Sequence, residues 1–309
     1  MGGLEFKRFQ FALDAVGIRS NVVIIEGGRT PKNVREDFPA DYFNHVILCI
    51  PQPKDSIWLE CTSTTLPFAE LGPFTENRKA MMVTDEGGVL VNTPASNYSK
   101  NTINMNTVIQ VDAEGGARVN AAAGLVGDER NRLLMLFHDM KEDEKKKYFI
   151  TEYSWKQPDL LKITTADKKA NPYWLKVEMD YERLYSFNAG SKLFFEPRLY
   201  PIFDEDIPEN DNRKEDYYFT CPYQVLDTTV YKFPAGFSME NLPKNRSVSK
   251  PFAQYICTYT WDANTHTLTS IASLQIKERV IKAADYKALY DFSRQVTADI
   301  NEKIVMKRD

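Results

Sequence analysis

His45 and Glu60 are the residues whose types and spacing first suggest chemistry. They belong to two apolar, β-branched-rich runs, 43–50 and 57–61, joined by a six-residue Pro/Gln/Lys/Asp/Ser connection, which is a hairpin signature. Pairing the runs symmetrically about Gln52–Pro53, with no bulge, sets Ile50 opposite Asp55, Leu48 opposite Ile57, Val46 opposite Leu59 and His45 opposite Glu60. Directly opposed side chains have Cβ atoms roughly 5 Å apart, so Glu60 can accept a hydrogen bond from the His45 ring. A carboxylate placed there orients the imidazole and stabilises its charged form, as the acid of a Cys-His-Asp or Ser-His-Asp triad does. The same pair also reads as a plain cross-strand polar contact.

A triad needs a nucleophile, and the nearby thiols do not supply one. Cys49 lies four residues from His45 on the same strand, about 13 Å away at the usual rise. Cys61 follows Glu60 and points to the opposite face. Both read as small packing residues. Ser20, Thr62 and Ser63 have no positional support as substitutes.

The text around the pair carries a family resemblance. Ala-Val-Gly-Ile (15–18) ends a helix, followed by Val-Val-Ile-Ile (22–25), Phe-Asn-His-Val-Ile (43–47) and Trp-Leu-Glu-Cys-Thr (58–62). Leu66-Pro67-Phe68 and a strand at 78–83 continue it. Over roughly the first 95 residues this resembles the core of the bacterial transglutaminase-like (cysteine protease-like) superfamily. The resemblance implies an α+β fold: a truncated papain-like core, 1–95, with an N-terminal helix packed on an antiparallel sheet. His45 would be the base and later the acid, and Glu60 would fill a position where Asp is commoner. Asn44, Trp58 and Phe68 become candidates for a substrate groove, with Phe74 beside them, although core packing and loop anchoring are the competing roles for these aromatics. The family's nucleophilic Cys, at the helix start where the dipole lowers a thiol's pKa, counts back to about Gly2 or Gly3, or to just before the chain begins. No Cys stands there.

The resemblance therefore implies the C-terminal part of a thiol acyltransferase or peptidase acting on protein or peptide amides, without activity as this chain because the Cys is missing. The alternative is a non-catalytic binding or scaffold protein that keeps the fold and holds a cell-envelope polypeptide. A natural start at Met1 favours the second, a clipped start the first. A periplasmic or exported location follows from the resemblance alone, since residues 1–20 read as an amphipathic helix instead of a signal peptide. No cofactor is implied.

The rest of the chain bounds these readings. Its 309 residues, 43% hydrophobic and 27% charged, suffice for two domains. A net charge of −4 gives no reason to expect nucleic acid or an anionic membrane as partner. No apolar run is long enough for a transmembrane segment. The four cysteines show no metal-ligand or redox spacing. Leu4, Phe9, Ala12, Leu13 and Val16 lie close to a helical stripe, widened by Phe6 and Phe11, and Gly17 ends it. Thr30-Pro31 suits the cap of a short turn in the polar loop 27–40. The polar run 92–100 marks the boundary to a second domain, 96–309.

That domain reads as a mostly antiparallel, sandwich-like β domain with a C-terminal helix. Strand patterns cover 103–111, 117–123, 160–165, 174–185, 217–220, 223–233, 254–261 and 267–280. A helix is expected over 127–140 with Asp128 as a cap, then a charged run at 141–147 that is a solvated helix face or loop. A last helix is expected over 283–304. Tyr-Pro-Ile-Phe (200–203), Phe-Pro-Ala-Gly-Phe (233–237) and Asn-Leu-Pro (241–243) resemble the β domain that trails the transglutaminase-like core in envelope-type proteins. The acidic loop 204–211 lacks the spacing and glycine of a calcium loop, and no metal site is expected.

Overall fold

Alternating and β-branched runs dominate this chain, and the fold they give is α+β with far more sheet than helix. The computed structural model describes residues 5–28, 34–35, 37 and 40–308. The chain divides into two compact units, Met1–Ser96 and Asn97–Asp309.

The first unit begins with α1 (Glu5–Ala15), then β1 (Asn21–Ile25), β2 (His45–Ile50), β3 (Ile57–Leu59), β4 (Lys79–Thr84) and β5 (Gly87–Asn92). The strands form one antiparallel sheet in the order β3-β2-β1-β4-β5. Val23, Ile25, Ile47, Cys49, Trp58, Leu71 and Ala80 make its core. Gly17, at φ +78, ends the helix, and the Ile18 N–H bonds back to the Leu13 carbonyl at 2.9 Å in a Schellman arrangement. The helix lies against β2 but buries no residue fully. Phe6, Gln10 and Leu13 are half-buried, while Phe9, Phe11 and Val16 are exposed, so the wide apolar stripe expected to pack on the sheet does so only along one narrow line. Thr30-Pro31 lies outside the described residues.

The β2–β3 register differs from expectation. Leu48 faces Leu59, Cys49 faces Trp58 and Ile50 faces Ile57, so the whole of 51–56 is connection. The cause is local. Pro51 and Pro53 have no N–H to donate to a ladder, and pairing Ile50 with Ile57 opposes two apolar residues. The shift is two residues, which preserves the face each side chain occupies.

The second unit opens with β6 (Thr102–Val111) and β7 (Ala117–Val126), then α2 (Asp128–Phe137) and α3 (Glu142–Glu152). β8 (Leu160–Thr165), β9 (Tyr173–Tyr181), β10 (Phe187–Ala189) and β11 (Lys192–Phe195) follow. Next come β12 (Tyr217–Tyr218), β13 (Tyr223–Lys232), β14 (Phe237–Asn241), β15 (Arg246–Lys250), β16 (Ala253–Asp262) and β17 (Thr267–Ile276). The chain closes with β18 (Val280–Ile281), α4 (Tyr286–Ile300) and β19 (Ile304–Arg308). An eight-stranded sheet runs β15-β16-β17-β13-β6-β7-β9-β8, antiparallel except where β13 lies parallel to β6. A smaller sheet runs β10-β11-β19-β14.

Two expectations are corrected here, the cap of α2 and the end of the last helix, and one choice is resolved. Gly127, at φ +74, is the N-cap of α2, and Asp128 is already helical. The charged run is a solvated helix face and not a loop, on a helix of its own, α3, in which Phe149 is buried. The last helix stops at Ile300, and Ile304 instead starts a strand that lies between β11 and β14 and whose Ile304 and Met306 reach the core. The sandwich description also needs revision, because only part of the large sheet is covered by another sheet. Residues of β6, β7 and β9 pack with β11, β14, β19, α2 and α3, whereas those of β13, β16 and β17 pack on α4.

A buried ionic cluster ties that second half together. The Arg198 guanidinium donates to Tyr259 Oη at 3.0 Å, Cys257 Sγ at 2.8 Å and Ser270 Oγ at 3.2 Å. It also lies 3.4 Å from Asp299 Oδ2 and 4.0 Å from Asp227 Oδ1. Tyr255 and Tyr259 donate to Asp299, so one helix and three strands meet at this node. Burial pushes the Asp227 carboxyl up to about 6, against the pull of Arg198 and Thr229. Because its folded-state value is raised, stability linked to the protonated form is complete below the unfolded value near 4 and is lost as pH rises through about 6. Asp227→Asn is therefore expected to flatten the pH dependence between 4 and 7 and to be tolerated at pH 7. Arg198→Met should cost about 3–5 kcal/mol by leaving buried carboxylates unpaired. Chemical denaturation of both variants across that pH range checks this.

Candidate functional site

The site starts from a constraint on Glu60, whose side chain is 4% exposed and must find donors. Its oxygens lie 3.1 and 3.0 Å from His45 Nε2. Oε1 also accepts from the Thr62 backbone N–H at 3.0 Å and from Thr62 Oγ1 at 2.6 Å. Thr75 Oγ1, fully buried, stands 3.5 Å from Oε2 and donates to the Leu71 carbonyl at 3.1 Å. In the observed register, position 60 is a diagonal neighbour of position 45 instead of its direct partner. Diagonal neighbours are about 7–8 Å apart, a gap that the long Glu side chain crosses.

Burial raises the Glu60 carboxyl's pKa, but hydrogen bonds from His45 and Thr62 and the His45 charge outweigh it and leave the group below the ordinary value. With Nε2 facing the carboxylate, a neutral ring carries its proton on Nε2, and Nδ1 is the nitrogen left for a reacting group. Among the described residues no side chain hydrogen-bonds Nδ1.

Phe74 stands edge-on to the His45 ring, with centroids 5.2 Å apart and planes at 81°. Two arrangements hold it there. Arg78 pairs with Glu26 at 2.8 Å and donates to the Pro73 carbonyl at 3.1 Å and to the Gly28 carbonyl, joining the end of β1 to the loop that carries Phe74. Gly27 supplies the room: a Cβ on it would fall 2.5 Å from the Phe74 ring and 3.1 Å from His45 Cβ.

The other expected site residues are placed as follows. Asn44 brackets Gly27, with Oδ1 accepting its N–H at 2.6 Å and Nδ2 donating to its carbonyl at 3.1 Å. It therefore fixes the backbone beneath Phe74. Trp58 is buried in the core, at one end of a shallow groove that runs along 52–57 past Ala69 and Pro94 and that His45 does not line. Phe68 is 75% exposed, and it is Phe74 that meets His45. Cys49 and Cys61 are buried free thiols. Burial pushes Cys61 up to about 11 and raises Cys49, so neither is a thiolate near neutral pH. Gly2 and Gly3 lie outside the described residues.

Sequence reasoning missed Thr62, Thr75, Gly27 and the Arg78–Glu26 pair. Thr62 carried a weak signal, a hydroxyl two residues from the acid. The others depend on chain segments far apart in sequence.

Among the described residues no group of three His, Cys, Asp or Glu side chains gathers to hold a metal. In the acidic loop, Glu205 accepts from Tyr217 at 3.0 Å and Glu209 from Tyr290 at 3.2 Å. No described helix is long and apolar enough to cross a membrane.

Comparison with known proteins gives three findings. Residues 191–306 match the model of a family described as a domain of unknown function with a solved structure, DUF3858. No curated protein matches the chain. A solved structure from Parabacteroides distasonis, titled a "putative protease", is similar at 11% identity and a TM-score of 0.47, covering 96% of this chain and 42% of that one. The present chain thus spans about two fifths of that protein's length.

Two outcomes follow from this geometry. Because the folded-state value of Glu60 is depressed, its contribution to stability is present above the unfolded value and is lost as pH falls through the folded one. His45→Ala should move the Glu60 titration upward and make the first unit less acid-resistant, as read by carbon NMR of the carboxyl group. Gly27→Ala should push Phe74 off His45, at a cost of about 1–3 kcal/mol, with loss of the ring-current shift on the imidazole protons.

Proposed function

We propose that His45 and Glu60 are the base and orienting acid of a transglutaminase-like thiol acyl-transfer or peptidase site acting on protein or peptide amides. The observation that carries this reading is the buried Glu60 carboxylate held on His45 Nε2 by three kinds of donor. It fixes the ring and leaves Nδ1 for a thiol. In such a site the thiolate attacks the amide carbonyl and His45 protonates the departing amine. Water or a second amine then resolves the thioester. Trp58, Asn44 and Phe68 are the groove candidates of this reading, with Asn44 acting through Gly27 and Phe74. Its natural partners would be polypeptides of the cell envelope, in a periplasmic or exported setting.

The described thiols do not complete the site. We infer that this chain turns over little or no substrate by itself. A second reading, a binding protein that retains the same frame, draws on the same observation, namely that Cys49 and Cys61 are buried and protonated.

The test places a thiol where the resemblance puts it. Gly2→Cys and Gly3→Cys variants are alkylated with iodoacetamide across pH 5–9 and assayed with a glutamine peptide and an amine. At least one variant is expected to hold a thiolate at pH 6–7 and to show turnover, both lost on adding His45→Ala. If neither variant's alkylation profile responds to His45→Ala, the catalytic reading fails.

A further inference from the structure

The large sheet of the second unit is covered on one face only. Its inward positions carry both cores of the unit, while its outward positions on β16, β17, β13, β6 and β7 are exposed or half-buried. Those outward positions lie at 254–260, 269–275, 224–230, 104–110 and 120–122, taking alternate residues; Gly124, next on β7, is buried beside the Trp174 ring. At the chain's average of 27% charged, about five of these eighteen positions would bear a charge. None does. Charges return toward the β9–β8 edge, at Lys176, Glu178 and Asp180 on β9 and Lys162 on β8, and at strand ends such as Arg118 and Lys232.

The apolar residues of this face are contiguous. Ile256 and Leu226 both stand opposite Ser273, and Ile271 lies diagonal to each. Val230 is diagonal to Ile271 and sits beside Val108 across the parallel pair. Ile271 is 50% exposed, Ile256 40% and Leu226 37%. Thr, Ser, Asn and Gln occupy most of the remaining positions. An antiparallel face that meets only water alternates toward polar residues, so the departure here is the apolar run across adjacent strands, and a contiguous apolar field on an exposed sheet marks a contact surface.

We propose that this face is where a second copy of the chain docks, sheet against sheet about a two-fold axis. Charge decides the occupant. A two-fold axis brings a patch against its own image, so any clustered charge meets like charge, and a neutral patch escapes that opposition. A face without charge also gives a charged partner nothing to pair with. Size fits as well. Five strands at about 4.8 Å spacing by six residues at about 3.4 Å give a plane of roughly 500 Å², to which side-chain relief adds. That approaches the low end of the roughly 800 Å² per partner of stable interfaces, so association in the micromolar range is expected. Stacked sheets pack about 10 Å apart with strands within about 30°, which lets the Ile256–Ile271–Val230 diagonal of one copy lie between the hydroxyl-bearing rows of the other.

The experiment is sedimentation velocity on the full chain from about 1 to 100 µM. A mass approaching twice that of the monomer is expected at the upper end. The double variant Leu226→Lys, Ile271→Lys should stay monomeric throughout, with unchanged circular dichroism and melting temperature. Phe11→Lys, which alters an exposed aromatic of the first unit, should associate like the unmodified chain. A monomer at 100 µM overturns the proposal, as does a dimer that survives the double lysine variant or is broken by Phe11→Lys. Should the double variant fold poorly, Ile271→Lys alone gives the same discrimination through a loss of association of tenfold or more.

Discussion

A carboxylate shielded from water must be surrounded by donors, and much of the first unit's arrangement around His45 follows from meeting that requirement at Glu60. The His45 ring, the Thr62 amide and the Thr62 hydroxyl converge on it from three directions. The Thr62 donors need only the turn directly after Glu60, and the His45 ring needs β2 and β3 paired. The 71–78 loop brings Thr75 Oγ1 within 3.5 Å of the same carboxylate. The Arg78–Glu26 ion pair and the Gly27–Asn44 bracket lock that loop to the end of β1. A charged group thereby acts as an organising point, and the imidazole is left with one committed nitrogen and one uncommitted one.

The second unit meets a similar requirement with larger means. Arg198, Asp227 and Asp299 lie under a sheet and a helix, and tyrosine hydroxyls from β16 complete their coordination. Hydrophobic contacts alone would hold α4 on β13, β16 and β17, but they would not fix its rotation about its own axis. The Asp299 carboxylate does so, because it must face both Tyr255 and Tyr259. The parallel pairing of β13 with β6 then joins the core beneath α4 to the core beneath β11 and β19 through one continuous sheet.

Much of this was readable along the chain. Alternation in Tyr-Trp-Leu-Lys-Val-Glu-Met-Asp-Tyr (173–181) reports a strand with one wet face, and the structure buries the odd-numbered residues. Gly17 and Gly115, at φ +78 and +86, report an end and a turn because few other residues adopt those conformations freely. His45 and Glu60 could be placed on one face even with the pairing misjudged by two residues, since faces repeat with that period. The failures have equally local causes. Asp128 reads as a cap because Asp favours that position, yet Gly127, at φ +74, takes it and Asp128 is already helical. The helix after Asp285 seemed to continue to Ile304 because an apolar residue at helical spacing and one beginning a strand look alike in sequence.

Periodicity and turn chemistry by themselves determined that strands outnumber helices in this chain, with a histidine and a glutamate on one face of a hairpin and no thiol within reach on that hairpin. These are properties of neighbours along the chain, and sequence encodes neighbours directly. The donors on Glu60 that come from beyond its strand, the seat of Phe74, the burial that keeps Cys61 protonated and the single covered face of the large sheet were decided by tertiary structure alone. Each depends on which distant segments come within a few ångströms of one another. Residue type and spacing constrain such contacts only weakly until packing has chosen among them.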